Sequence, residues 1–291
     1  MRILHLDAGR EMRGGQWQVP YLLRGLRERG HAVRLLGRRG GELLGRAADE
    51  GIDVAPLGWL ALLGERPEVI HAHDAHSHTM AAAAGRVPLV VSRRVAFPVK
   101  TGAASRWKYR RAAHFIAISH FVAGRLEEAG APGWAISVVY DGVPAAAVST
   151  FEGGIVTIAT SDPMKGGELL RQAGVEAVYS TDLARDLETA RMFVYPTRSE
   201  GLGSAALMAM ARGVPVIASR VEGLVEAVED GVTGLLAANH PSAFAAAVER
   251  LEGDPGLARR MGEAGRLRVS REFSVDRMVE GTIGVYEKVR K

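Results

Sequence analysis

The sequence predicts two α/β domains, each built on a parallel sheet, and three observations carry that prediction. Short apolar runs, rich in leucine and β-branched residues, alternate with amphipathic helical stretches, the signature of strands joined by crossover helices. The pattern pauses at the small-residue stretch VPAAAVSTFEGG, residues 143–154, which reads as a linker, and then starts again. At 291 residues the chain is also too long for one comfortable core. The expected boundaries are 1–149 for the first domain and 150–273 for the second, with a final helix over 274–291 packing back toward the domain junction.

In the first half RILHLD, AVRLLG, EVIHAH, PLVVS, FIAIS and ISVVYDG read as strands. Between the first two lies QWQVPYLLRGLRERG, where Val19, Leu22, Leu23 and Leu26 recur at helical spacing and Gly30 marks the stop. In the second half IVTIAT, EAVYS, MFVYP and PVIAS read as strands, followed by a short GLLAA and by helices from Pro241 onward. The last helix carries Met278, Ile283, Val285 and Tyr286 for packing.

Composition removes several classes. No apolar run reaches the roughly 18 residues of a spanning helix, and MRILHLDAGR lacks the long apolar segment of a secretory signal, so a soluble cytoplasmic protein is expected. With no cysteine there is no disulfide and no thiolate metal site. Residues 1–150 hold 20 Lys and Arg against 13 Asp and Glu, whereas 151–291 hold 17 against 20. The basic half is either an ordinary solvated surface or a face for an anionic partner such as an acceptor or a lipid headgroup.

In open parallel sheets ligands bind beyond the carboxyl ends of the strands, so the loops there carry the chemistry. After the first strand, Gly14 and Gly15 precede a helix, either as a simple turn or as exposed amides for a phosphate or sugar. EVIHAHDAHSH crowds His71, His73, His76 and His78 at a strand end. No metal is expected there, because the chain turns after Asp74; His73 is the candidate to bond a substrate hydroxyl. Arg93 and Arg94 follow a buried strand, as surface arginines or as a fork for an anion.

In the second half Lys165 precedes Gly166 and Gly167, a compact charge suited to a leaving diphosphate. In YPTRSEGLGSAALMAMARGVPVIAS, Gly201 and Gly203 with Ser204 open a helix directly after a strand, and Glu200 stands before them to accept bonds from sugar hydroxyls.

These residues resemble the retaining glycosyltransferases of family 4, whose fold is GT-B. The likeness runs through HLDAGREMRGGQWQVPYLLRGLRERGHAV, FIAISHFVAGRLEEAGAPGWAISVVYDGVP and EGLGSAALMAMARGVPVIASRVEGLVEAVEDGVTGLLA. The resemblance implies two Rossmann-like domains whose sheets face across an interdomain cleft, the donor on the second and the acceptor on the first. It implies that Glu200 and Lys165 are catalytic and that Gly14, Gly15, Gly201, Leu202, Gly203 and Ser204 contact the donor; His73 joins the catalytic candidates, and Met208 and Arg198 the donor-binding ones, from their places in the sequence. Arg93 and Arg94 are held as possible anion ligands. The implied reaction moves a sugar from a nucleotide-sugar to a saccharide or lipid-linked acceptor, in polysaccharide or cell-envelope synthesis, without metal, cofactor or nucleic acid. Peripheral contact with an anionic inner membrane face goes with such an acceptor.

The sequence departs from the family pattern in three places. The second carboxylate, separated from the first by seven residues and with its partners on the ribose, is here Met208, and a thioether is a weak acceptor. An arginine five residues before the lysine is replaced by Thr160, and Arg198 or Arg94 stands in for it; a histidine after the strand ending near Val91 is replaced within SRRV. Between Lys165 and AVYSTDLARDL about 30 residues, one strand and helix, are missing, which shortens the second domain. These departures keep open an alternative: a degenerate GT-B protein that binds sugar, nucleotide or a partner without catalysis.

Overall fold

Parallel strands need crossovers long enough to carry a helix back along the sheet, and this chain supplies one almost everywhere. The computed structural model describes every residue except Arg13, Arg86, Lys100, Thr101, Pro163 and Lys291. It divides into two units, Met1–Gly142 with Val275–Lys291, and Val143–Ser274.

The first unit runs β1 (Arg2–Asp7), α1 (Gly14–Glu28), β2 (Ala32–Gly37), α2 (Glu42–Asp49), β3 (Asp53–Pro56), α3 (Trp59–Gly64), β4 (Val69–Ala72) and α4 (Ala75–Ala84). It continues through β5 (Leu89–Arg93), α5 (Ala103–Arg111), β6 (His114–Ala117), α6 (His120–Glu128) and β7 (Ile136–Val138). The sheet order is β3-β2-β1-β4-β5-β6-β7, with every pairing parallel. Register sets His5 opposite His71, so the polar residues of β1 and β4 meet on one face.

The second unit runs β8 (Ile155–Ile158), α7 (Gly167–Gln172), β9 (Val178–Ser180), α8 (Leu183–Asp186), β10 (Met192–Tyr195), α9 (Ser204–Ala211), β11 (Val216–Ser219), α10 (Glu222–Ala227), β12 (Gly234–Ala237), α11 (Pro241–Gly253) and α12 (Pro255–Glu272). Its parallel sheet has the order β12-β11-β10-β8-β9. β10 pairs with both β8 and β11, so the strand order reverses at β8 and β10, and their carboxyl ends form the crevice where a ligand sits in such sheets. A single helix, α7, joins the neighbouring strands β8 and β9, and the sheet is two strands narrower than that of the first unit.

The final helix, α13 (Val275–Arg290), belongs to the first unit. Its buried stripe of Met278, Val279, Val285 and Tyr286 joins one core cluster with Ile3, Leu22, Leu26 and Val69. It therefore completes that unit's own core. The boundary falls at Gly142 rather than residue 149, because 143–150 is tied to the second unit. Val143 N–H donates to Phe273 O at 2.9 Å, Ser149 N–H to Arg212 O at 2.9 Å and Thr150 N–H to Glu188 O at 2.9 Å. β3 has no counterpart among the expected strands; DVAP is short and partly exposed, and its pairing to β2 defines it.

Candidate active site

In the second unit the loop after β8 is drawn against the end of β10. Arg198 N–H donates to Met164 O at 2.8 Å, and the Thr197 hydroxyl donates to the same oxygen at 3.2 Å. Gly166 permits this approach: its φ is +31°, and a Cβ there would sit 2.6 Å from Pro196 Cβ. The result places Lys165 beside Glu200, 35 residues on, in an ion pair with the side chains about a fifth exposed.

Tyr195, 4% exposed at the end of β10, closes the group. Its hydroxyl accepts from Lys165 Nζ at 2.8 Å and donates to Glu200 Oε2, and the ammonium lies over its ring at 5.1 Å. Burial first, then the Glu200 charge, pushes the phenol well above its usual range, so it remains a proton donor. Glu200 Oε1 accepts from Gly201 N–H at 3.0 Å. One carboxylate is thus held by an amide, a phenol and an ammonium.

The cradle follows at once. Gly203 has φ +100°, and a Cβ would lie 2.5 Å from Leu224 Cδ2, so glycine is required where the chain turns into α9. Helix α9 begins with no side-chain cap, leaving amides at a positive helix end beside Lys165 and Glu200. Leu202 is fully buried and offers only backbone. Ser204, Ala205 and Met208 are the half-buried positions of an otherwise buried helix, so the thioether lies on the same side as Ser204. Next to the group opens a cavity of about 830 Å³, lined by Thr160, Ser161, Gly166, Tyr179, Arg198 and Asn239 among others. Another, of about 420 Å³, opens beside Phe151, Arg191 and Leu251 and includes none of the candidate site residues.

The first unit gathers its polar residues differently. His73 is 7% exposed; its Nε2 meets His5 Nδ1 at 2.9 Å and its Nδ1 meets Arg94 Nη1 at 3.1 Å. Arginine only donates, so His73 Nδ1 accepts and its proton is on Nε2; that proton goes to His5 Nδ1, which leaves His5 protonated on Nε2. His5 Nε2 is buried without a partner. His71 is spanned by Tyr286 OH at 2.6 Å and Ser92 Oγ at 2.7 Å. Burial, helped by the Arg94 charge, holds His5 down to about 3 and His71 and His73 well below the ordinary range, so all three are neutral.

This corrects two expectations. His73 has no ring nitrogen left for a substrate hydroxyl, and Arg94 is not a free anion fork: it is buried, and its Nε donates to Asp141 Oδ1 at 3.0 Å. Arg93 turns its guanidinium to Phe97 O. Among the described residues His5, His71 and His73 are the group whose ligand atoms approach within 4.8 Å of one another, but a cation there would have to displace existing hydrogen bonds beside a guanidinium. His76 is exposed, and His78 Nε2 meets Lys108 O at 3.1 Å. Gly14 and Gly15 open α1; Arg94 Cδ lies 3.2 Å from where a Gly15 Cβ would be. His5 and Tyr195 were not singled out by the sequence: each sits in a strand that reads as plain core.

Two parallel-sheet units with a ligand crevice at the carboxyl ends define the GT-B class, and known proteins agree. The family model described as Glycosyltransferase Family 4 matches residues 12–147, and that described as Glycosyl transferases group 1 matches 175–268. The chain belongs to the family 4 glycosyltransferases. An alpha-maltose-1-phosphate synthase of Mycobacterium tuberculosis (strain CDC 1551 / Oshkosh) is 42% identical over 110 residues, 35% of this chain and 28% of that protein. A D-inositol 3-phosphate glycosyltransferase of Streptomyces bingchenggensis is 37% identical over 111 residues, 38% of this chain and 24% of that protein. The matched stretches therefore span only about a quarter of these relatives. Among solved structures, Anabaena Alr3699/HepE in complex with UDP superposes with a TM-score of 0.88 at 17% identity, covering 99% of this chain and 100% of that one. A glycosyltransferase from Rickettsia africae ESF-5 gives 0.85 at 15% identity, covering 100% and 98%.

Proposed function

We propose that this chain moves a sugar from a nucleotide-sugar donor to a saccharide or lipid-linked acceptor, with retention and without a metal. The observation that carries the reading is the Lys165, Tyr195 and Glu200 group beside the uncapped start of α9. The solved complexes of the Anabaena protein with UDP and with UDP-glucose support a nucleotide-sugar as donor.

On this reading Glu200 takes the sugar hydroxyls, the amides of Gly201, Gly203 and Ser204 take the diphosphate, and the remaining nucleotide enters the cavity beside Thr160 and Arg198. Lys165 leaves Glu200 for the diphosphate, where its charge and the helix end stabilise the leaving group. The acceptor hydroxyl attacks the anomeric carbon from the face the phosphate leaves. The bond from that carbon to phosphate oxygen breaks, and the hydroxyl proton passes to that oxygen. No side-chain base and no cofactor is needed. The setting is polysaccharide or cell-envelope synthesis in the cytoplasm, with peripheral contact at an anionic inner membrane face.

Calorimetry with a panel of nucleoside diphosphates and nucleotide-sugars, on the wild type and Met208→Glu, tests the donor site. Each charged hydrogen bond to a ribose hydroxyl adds about 1.5 kcal/mol or more, so restoring the carboxylate should tighten nucleoside diphosphate binding at least tenfold. No binding by either protein and no turnover of any donor would sink the reading. Met208 favours a second one, binding without catalysis; loss of a measurable transfer activity in Glu200→Ala and Lys165→Ala would end it.

A further inference from the structure

One surface of the first unit has no part in that chemistry. Helix α4 packs against α3 on one side and α5 on the other. From residue 75 to residue 126 the chain carries nine Lys and Arg and no Asp or Glu. A solvated helix face ordinarily interleaves the two signs.

Helix α5 divides cleanly between inward and outward positions. Lys108 reaches back to α4, donating to Ala75 O at 3.2 Å, and Tyr109 stacks on Phe115 with ring centroids 5.2 Å apart. The opposite side presents Trp107, 42% exposed, with Arg110 and Arg111; the Arg111 guanidinium lies 5.7 Å from the Trp107 ring. The loop before α5 exposes Phe97 (61%), and on the other flank α3 exposes Trp59 (50%) and Leu60 (91%). Between them α4 shows Ala75, His76, Thr79 and Ala83, three of them small.

Large apolar side chains beside an acid-free cationic helix match an interface that is anionic outside and hydrocarbon within. An exposed Leu60 gains nothing from a nucleic acid, whereas bilayer hydrocarbon buries it and tryptophan sits well at headgroup level. We propose that the α3, α4 and α5 face docks on an anionic lipid bilayer, with Trp59, Leu60, Phe97 and Trp107 inserting and Arg110 and Arg111 holding phosphate headgroups. This deepens the partner named for the transferase reading. It rests on none of the donor-site residues, and the two are measured separately.

The full chain is mixed with vesicles of phosphatidylcholine alone or containing phosphatidylglycerol, and bound protein is followed by sedimentation and tryptophan emission. Nucleotide binding in the same preparations reports on the donor reading. Expected are binding to the anionic vesicles only, a blue shift in emission, and loss of binding as salt rises from about 0.1 to 1 M, where the screening length falls from about 10 to 3 Å. Each arginine near the surface is worth about fivefold, so Arg110→Glu with Arg111→Glu should weaken binding at least about twenty-fivefold. Trp59→Ser with Trp107→Ser should abolish the emission shift, with an unchanged far-ultraviolet spectrum confirming folding. Absence of wild-type binding to anionic vesicles, equal binding to both vesicle types, or binding only to a single-stranded RNA control would overturn the proposal whether or not the variants fold.

Discussion

The two units each collect polar side chains around the central strands of a parallel sheet, yet the collections differ in kind. In the first, His5, His73, Arg94 and Asp141 are almost fully buried and bonded in a chain to one another. In the second, Lys165 and Glu200 are part exposed beside a cavity of about 830 Å³ and answer to one buried phenol. A sealed network holds a fold together; an open one can exchange its internal partners for a substrate's.

The largest effect that could break this contrast comes from Arg94→Met. It removes the guanidinium paired with the buried Asp141 carboxylate, and about 3–5 kcal/mol of stability should be lost in urea unfolding while nucleotide binding by the folded protein persists. A stable variant with lost donor affinity would instead make Arg94 a ligand. Next, Glu200→Gln keeps the shape and removes the charge, and donor turnover should fall about 10²–10³-fold with little change in unfolding midpoint. If stability rather than turnover fell, the second network would be structural too.

Tyr195→Phe sharpens the comparison on the open side. It removes a phenol bonded to two charged groups, worth about 1.5–3 kcal/mol, and it should lower kcat more than it raises KM because the ring still fills its space. An unchanged kcat would reduce Tyr195 to packing.

The smallest effect, per proton, concerns acid. His5 stays neutral in the folded state down to about 3, so below pH 6.5 the unfolded chain binds the extra proton and stability falls as pH drops, by about 1.4 kcal/mol per pH unit. His71 and His73 act in the same direction. Asp7, raised by burial to about 6, opposes them between about pH 6 and 4, because there the folded state holds the proton. Urea midpoints between pH 7 and 5 should therefore fall, and fall less in His5→Asn. A flat profile would mean that the histidines are solvated.

The cradle was legible in the sequence because turn chemistry is local: Glu200, two glycines and a helix start lie within five residues. Lys165 was legible for the same reason, as a cation ahead of paired glycines. The His5–His73 contact was not, since 68 residues separate the partners and only the order β1 beside β4 joins them. The same blindness made His73 and Arg94 look available: exposure depends on what the rest of the sheet brings up against a strand end. Tyr195 hid inside MFVYP, where an apolar run gives no sign that one hydroxyl is aimed at a charge.

Helix α13 sets an order of events in the cell. Synthesis delivers the chain from its first residue, and domains ordinarily fold as they emerge. Here the core around Ile3, Leu22 and Leu26 waits for Met278 and Tyr286, so a segment translated before Val143–Ser274 is finished after it, and Val143–Ser274 can fold ahead. A nascent chain halted before Val275 should be cut by protease within α1 while the cradle segment resists.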